Sequence, residues 1–338
     1  MKKTAIFLLA ICCSVFAEAQ MMPDSTVQVV AYWSKGDVIS YDCAVTQYTI
    51  EADGTKKADY SSSETRTIEV IDADDSSYTL RLSYSDVFSP NPIKYLSSDQ
   101  VNKLSEALTV TFKTNEFGTF AGIVDDDEAF DTYVKLVESI IDNAWKANKK
   151  ELKGISREQF TESMKAPLCN KESMFAAVVS DFAPLLTFHG SRLDTAEVYS
   201  FPQIFTNLFG SETPLELDTQ FWVDEKLTDS TCVVIRTDAY ADYETLKPMV
   251  RDYSIKVAKA ALESTGTEFD ENEIADEIDK QMAEESVNVT FDEYTTIQIH
   301  LGTGWPVCWY STREVVSTSE QAEKTVIIEK SVELHTEQ

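Results

Sequence analysis

The chain has 338 residues, of which 43% are hydrophobic, and its formal net charge is −29 at pH 7. A protein this acidic repels nucleic acids and anionic membrane surfaces, because affinity for such polymers comes from basic side chains that displace counterions. The composition therefore excludes nucleic acid as a partner. The length suffices for a substantial hydrophobic core.

The first segment has the three parts of a secretory leader. Lys2 and Lys3 precede an uncharged apolar run from Ala5 to Phe16, and a small-x-small pattern ends at Ala19. The run is too short for a membrane-spanning helix, which needs about 20 apolar residues. We therefore predict a signal peptide over residues 1–19, cleaved before Gln20, and an exported periplasmic or extracellular protein without a transmembrane segment.

Two questions about cysteine stay open in the sequence. Leu9-Ala10-Ile11-Cys12 has the outline of a lipobox, but Ile11 is too large for the position before the cysteine, which argues against a lipid anchor. An oxidising compartment permits disulfides among the four cysteines of the mature chain, whose spacing allows three connectivities and matches no zinc motif. These cysteines are Cys43, Cys169, Cys232 and Cys308.

The first third of the mature chain is typical of antiparallel strands. Apolar residues alternate with polar ones from Gly36 to Ile50 and again from Tyr78 to Phe88, which predicts half-buried strands. Asp53-Gly54 predicts a hairpin turn whose two central residues both have positive φ. Further strands are expected over Arg66–Ile71, Leu108–Lys113 and Thr119–Val124.

Helical patterns occupy the middle of the chain. Apolar residues recur at intervals of three and four after the acidic start at Asp125, which predicts a helix through Ala144. Ser156 and Gln159 form a capping-box pattern for a shorter helix. The segment from Ser173 to Phe188 is almost wholly apolar, so we expect a helix that is enclosed by other elements and bent at Pro184.

The remaining chain alternates strands and helices. We expect strands over Val198–Phe205, Leu215–Val223, Thr231–Thr237, Val287–Leu301, Pro306–Val316 and Lys324–Leu334, and helices over Asp242–Leu262 and Asp270–Glu285. The order strand, strand, helix in Leu108–Ile141 recurs in Leu217–Val250, which suggests a faint internal duplication. No linker of Ser, Gly or Pro divides the chain, so residues 20–338 are predicted to be a single α+β domain.

This element order predicts a large curved antiparallel sheet wrapped around apolar helices. The layout is similar to the half-barrel of periplasmic lipoprotein carriers. With its leader ending Ala17-Glu18-Ala19 before Gln20, the chain also resembles uncharacterised exported proteins of Bacteroidetes-type bacteria. The resemblance implies a cavity for an apolar ligand, and it implies nothing about catalysis.

Motifs for catalysis are missing from the sequence. The three histidines, His189, His300 and His335, have no zinc-binding spacing, and no Gly-x-Ser-x-Gly elbow is present. The acidic runs Asp125–Glu128 and Glu268–Glu273 lack the alternating ligands of a calcium loop. We expect no catalytic residue, no metal and no cofactor.

Aromatic residues supply the remaining hypothesis. We predict that a pocket between the sheet and the apolar helix is lined by Phe175, Phe182, Leu186, Trp222 and Trp309. The expected function is a non-enzymatic binding or carrier protein of the cell envelope, with an apolar small molecule or an envelope protein as partner. Two alternatives stay open: an envelope scaffold without a cavity, and a hydrolase that uses paired carboxylates.

Overall fold

The fold is described from a computed structural model. It covers residues 25–88, 96–124, 127–205, 214–265, 270–284, 288–318 and 323–335. The predicted signal peptide and its cleavage site at Ala19 and Gln20 lie outside these residues.

The described residues form thirteen strands and six helices. The strands are β1 (Thr26–Gln28), β2 (Val38–Ile50), β3 (Lys56–Asp74), β4 (Ser77–Phe88), β5 (Val110–Asn115), β6 (Phe120–Ile123), β7 (Arg192–Asp194), β8 (Val198–Phe205), β9 (Leu215–Val223), β10 (Cys232–Ala241), β11 (Asn288–His300), β12 (Pro306–Thr318) and β13 (Glu323–Leu334). The helices are α1 (Ser98–Ala107), α2 (Asp127–Asn148), α3 (Arg157–Leu168), α4 (Lys171–Leu186), α5 (Tyr243–Thr265) and α6 (Glu271–Glu284).

One large sheet organises the molecule. It has 11 strands in the order β6-β5-β4-β3-β2-β13-β12-β11-β10-β9-β8, and every pair of neighbours is antiparallel. β13 pairs with β2, which brings the two ends of the described chain together at the centre of the sheet. Within the described residues the sheet is open, with β6 and β8 as its edges. The predicted α+β class with a large antiparallel sheet is confirmed.

The helices cover different parts of this sheet. α4 packs its apolar side against β2, β4 and β5, and Phe182 stacks on Phe112 with ring centroids 4.0 Å apart. α5 packs Leu246 and Met249 against β9, β10 and β11. α1, α2 and α3 form a separate apolar cluster around Val137. α4 and α5 therefore both bury apolar side chains on the sheet, α4 on the part from β2 to β5 and α5 on the part from β9 to β11.

The segment before β2 is held against the sheet by close contacts around His189. The His189 Nε2 atom lies 2.7 Å from the carbonyl oxygen of Gly304, and the ring packs 5.5 Å from that of Trp33. A Cβ atom at Gly118 would come within 2.7 Å of both Ala31 and the His189 ring, so only glycine fits there. His189 is thus a buried structural residue that joins the end of α4 to the β11–β12 turn.

One local prediction, the geometry of the first hairpin turn, differs from the structure in detail. The β2–β3 hairpin forms at Asp53-Gly54, but Gly54 alone has positive φ, because the Gly54 N–H donates to the Glu51 carbonyl in a type I turn followed by a left-handed glycine. The strand expected over Val287–Leu301 is observed as the single strand β11 (Asn288–His300), with an irregular register between Gln298 and Ile299, and Val287 lies outside the described residues. The capping box of Ser156 and Gln159 is confirmed at the start of α3.

Three elements have no counterpart among the predictions. α1 begins with a capping box of its own, Ser97 and Gln100, that follows residues 89–95, which lie outside the described part. The short strands β1 and β7 pair with each other, and their apolar residues Val27 and Leu193 are buried against β10 and β11. Strands of three residues leave no periodicity to detect.

The suggested internal duplication is visible only as element order. Both segments read strand, strand, helix: β5, β6 and α2 in the first, β9, β10 and α5 in the second. Their places in the sheet differ, because β6 is an edge strand whereas β10 lies between β9 and β11. The duplication stays a prediction.

Two further sequence expectations concern membrane and redox chemistry. In the described part of the chain, no helix combines the length and the apolar character needed to cross a bilayer. The thiols of Cys43, Cys169, Cys232 and Cys308 are free, so none of the three possible connectivities is formed.

Burial of His189 makes the stability of the fold depend on pH. Burial penalises the imidazolium and lowers the pKa of His189 to about 4, below the value of roughly 6.5 in an unfolded chain. The unfolded state therefore binds more protons between these values, and the free energy of unfolding falls as the pH decreases through that window. In urea unfolding at pH 7 and pH 5, the wild type should lose about 2 kcal/mol more than His189→Gln. An equal loss in both proteins would contradict this role.

Candidate functional site

A large cavity lies between α4 and the inner face of the sheet. Its volume is about 1010 Å³, and its walls come from α4 and from β2, β3, β8, β10, β11, β12 and β13. We call it the central cavity. Such a volume is at the upper end of the roughly 300–1,000 Å³ typical of small-molecule pockets.

The sequence of α4 explains why space remains beside it. Its large apolar residues, such as Val178, Phe182 and Leu185, share one side of the helix and are buried against the sheet. The side that faces the central cavity carries mostly small residues at helical spacing, which cannot fill the gap to the opposite strands. They are Ala176, Val179, Ser180, Ala183 and Pro184, and Thr187 lines the cavity just after the helix ends.

Arg66 fastens α4 to the sheet at one wall of the cavity. Its guanidinium donates from Nη1 to the backbone carbonyl of Asp181 at 2.6 Å, and Nη2 lies 3.2 Å from the Asp181 carboxylate. Its Nε donates to Glu64 at 2.6 Å. Tyr84 adds a longer hydrogen bond to Asp181 at 3.4 Å. The Arg66 side chain is only 11% exposed, so this group is largely shielded from bulk water.

Desolvation shifts the ionisation of the groups around Arg66. Burial raises the pKa of the Asp181 carboxyl above its ordinary value, although the charge of Arg66 opposes the shift. Burial also raises the pKa of the nearby Cys43 thiol to about 12, so the thiol stays protonated near neutral pH. A protonated thiol is a poor nucleophile, which argues against thiol catalysis at this wall.

A second ion pair lies farther across the sheet, on β11 and β12. Arg313 on β12 donates from Nε to Glu293 on β11 at 2.5 Å, and the two residues are register partners. The guanidinium also lies over the rings of Phe205 and Phe291, at 5.6 and 5.5 Å from their centroids. Both charges are therefore engaged by protein groups.

Lys330 is the third cation of the cavity wall. It lies on β13, opposite Ser311 of β12 on one side and Val45 of β2 on the other. Among the residues that the structure describes, no carboxylate comes within 4 Å of its ammonium. Enclosure by the protein lowers the pKa of Lys330 from its ordinary value, and the positive charge of Arg313 lowers it further.

The five residues predicted from the sequence as cavity lining are placed in different environments. Trp309 lies on the wall of the central cavity. Phe182 and Leu186 are buried on the opposite side of α4, and Phe175 contacts the edge of the same cluster. None of these three belongs to the wall of the central cavity.

Trp222 is also absent from this wall, for a reason visible in its strand. On β9 the buried positions are Leu215, Leu217, Thr219 and Val223, so Trp222 has the opposite phase and faces away from them. Its strand phase, and not its aromatic character, therefore decides that Trp222 lies away from the central cavity.

The charged residues of the wall were missed by sequence reasoning, although a signal for them exists. Arg66 has the same strand phase as Ile68, and Lys330 has the same phase as Val332. A charge on the buried phase of a strand indicates either an ion pair or a polar cavity.

A metal site in the described part of the chain would need several ligating side chains close together. Within that part, no group of three or more His, Cys, Asp and Glu side chains is placed to hold a metal ion. Asp125 and Asp126 of the first acidic run lie outside it, and Asp127 and Glu128 open α2 at the end where a helix dipole favours acids.

Comparisons with known proteins give the chain no family. No protein-family model and no curated protein matches it. Among solved structures, it is similar to lipovitellin, in a structure titled for lipid–protein interactions, with 11% identity and a TM-score of 0.36 over 90% of this chain. The chain spans about a quarter (25%) of that lipovitellin chain. A loop-deletion mutant of OmpT, an outer membrane protein of Vibrio cholerae, matches 88% of this chain and 100% of its own at 8% identity and a TM-score of 0.21. At such scores neither similarity carries functional information.

The Arg66 contacts should dominate local stability. Arg66→Met leaves Asp181 and Glu64 without their cation in a partly desolvated site, so the free energy of unfolding should fall by about 3 kcal/mol. Arg81→Met is the matched control, since Arg81 on the neighbouring strand forms an exposed ion pair with Glu69 and should lose less than about 1 kcal/mol. Urea unfolding measures both, and equal losses would contradict a special role for Arg66.

Proposed function

We propose that the protein is an exported, non-enzymatic binding or carrier protein of the cell envelope that holds an amphipathic molecule in its central cavity. In this proposal the sheet acts as a half-barrel and α4 is the helix that it encloses. Export rests on the leader pattern that ends at Ala19.

The composition of the cavity wall carries the proposal. Apolar and aromatic side chains, including Trp309, Phe188 and Phe201, lie in the same wall as Arg66, Arg313 and Lys330. Ligand sites combine an apolar lining with a few placed polar groups in this way. The sequence suggested a wholly apolar ligand, and the charged groups favour a ligand with a polar end as well.

The carboxylates of the cavity favour binding over hydrolysis. A hydrolase of the glycosidase type needs one carboxylate that can take up a proton or attack, and a second with a different pKa. Here Glu64 and Asp181 both contact Arg66, and Glu293 contacts Arg313. Each of these carboxylates already contacts an arginine, so an attack on a substrate or a hydrogen bond to one would have to compete with an existing ion pair.

A bulky residue that fills the cavity should abolish binding. Ser180 lines the central cavity and is exposed within it, whereas Ala177 is exposed on α4 but is not part of the wall. Ser180→Trp should therefore lose binding of dodecan-1-ol in native mass spectrometry or calorimetry, and Ala177→Trp should retain it. For the wild type, affinity should rise about tenfold for every two methylenes from octan-1-ol to dodecan-1-ol.

Other outcomes would favour the other functions. A wild-type protein that binds none of these alcohols, but co-purifies with an envelope protein, would overturn the proposal in favour of a scaffold. Hydrolysis of a glycoside that is lost in Glu64→Gln and Glu293→Gln would favour an enzyme. Equal binding by Ser180→Trp and Ala177→Trp would place the ligand outside the central cavity.

A further inference from the structure

Lys330 lies in the middle of a row of uncharged residues that crosses the sheet. Successive register partners on β3, β2, β13, β12, β11 and β10 form this row, and every member lines the central cavity. Apart from Lys330, these side chains are short, and four carry hydroxyl groups. In order across the sheet they are Ser62, Val45, Lys330, Ser311, Thr295 and Thr237.

The next rows on either side differ in character. Two residues along each strand, about 7 Å away, the row contains Cys43, Val332 and Trp309, which offer an apolar surface, and it continues on β3 to Glu64, which is bound by Arg66. On the opposite side lies the ion pair of Arg313 and Glu293. The Lys330 row is therefore a hydrogen-bonding strip between an apolar surface and a satisfied ion pair.

Among the charged wall residues that the structure describes, Lys330 is the one whose charge has no direct partner. Arg66 is bound by Glu64 and Asp181, and Arg313 is bound by Glu293. Within the described ranges, neither an ion pair nor a hydrogen bond joins Lys330 to another side chain, and its side chain is exposed to the cavity. A lysine ammonium has three donors, and an anion placed among them would restore the interaction energy that enclosure removes.

We propose that the central cavity selects an amphiphile with one anionic head, a carboxylate or a phosphate, and that Lys330 binds this head. The hydroxyl group of Ser311, the register partner of Lys330, can donate to the same oxygens, whereas the Thr295 hydroxyl is already hydrogen-bonded to Thr237; the tail extends over Val332 and Trp309. This inference rests on the proposed function, because it specifies the ligand of the same cavity.

The net charge of the protein makes this role of Lys330 specific. A charge of −29 disfavours any anion at long range, so recognition must come from a short-range cation inside the cavity. A cationic amphiphile would instead be repelled by Lys330. It would also find no unpaired carboxylate among the described wall residues, since Glu64, Asp181 and Glu293 contact arginines.

The test compares three ligands that share one tail. Dodecanoate, dodecyl phosphate and dodecan-1-ol are titrated into wild type, Lys330→Met, Lys330→Arg and Lys324→Met. Lys324→Met is the matched control. Lys324 lies on the same strand as Lys330 but is not part of the cavity wall, and its substitution by Met removes the same charge. Lys330→Met should weaken one or both anions about 10- to 100-fold and leave dodecan-1-ol unchanged. Lys330→Arg and Lys324→Met should bind like the wild type.

The outcomes separate this inference from the proposed function. Weakening of dodecanoate alone identifies a carboxylate head, and weakening of dodecyl phosphate alone identifies a phosphate head. If dodecan-1-ol binds but Lys330→Met leaves both anions unchanged, or weakens all three ligands equally, the inference is wrong and the cavity proposal stands. If no ligand binds the wild type, both are wrong.

Discussion

The structure depends on the interaction that joins α4 to the sheet through Arg66. The guanidinium contacts both the backbone carbonyl and the carboxylate of Asp181, so it fixes the rotation of the helix as well as its position. With that rotation, Phe182 enters the core and stacks on Phe112, while Ser180 faces the opposite strands. The Arg66–Asp181 ion pair thereby keeps one side of α4 packed in the core and the other side facing the central cavity.

The same constraint explains why charges lie inside an otherwise apolar layer. Burying an ion pair gains little stability, because the loss of hydration offsets the attraction between the charges. The Arg66 and Arg313 groups are retained on the walls of a cavity, where each of their carboxylates contacts an arginine and, among the described residues, none forms an ion pair with Lys330. Because the wall carboxylates are bound by Arg66 and Arg313, Lys330 can bind a ligand anion. This arrangement contributes more to ligand recognition than to stability.

Local patterns predicted most of the fold. The alternation through Leu80 and Leu82 and the capping box at Ser156 identified β4 and α3, because both signals reside within one element. The sequence could not reveal that β13 pairs with β2, since that contact joins residues nearly 300 positions apart. The site was harder still, because Trp222 and Trp309 look alike in sequence and only strand phase distinguishes them. Charges on the buried phase, such as Lys330, were the more informative signal.

Hydrogen exchange measured by mass spectrometry tests the central claim directly. If α4 is fixed by Arg66 and packed through Phe182, amides of residues 171–186 should be protected nearly as well as those of β4. The solvent-facing helix α6, whose residues are mostly exposed, should exchange much faster. Exchange of α4 as fast as that of α6 would mean that the helix is not held against the sheet, and the account of the cavity would be contradicted.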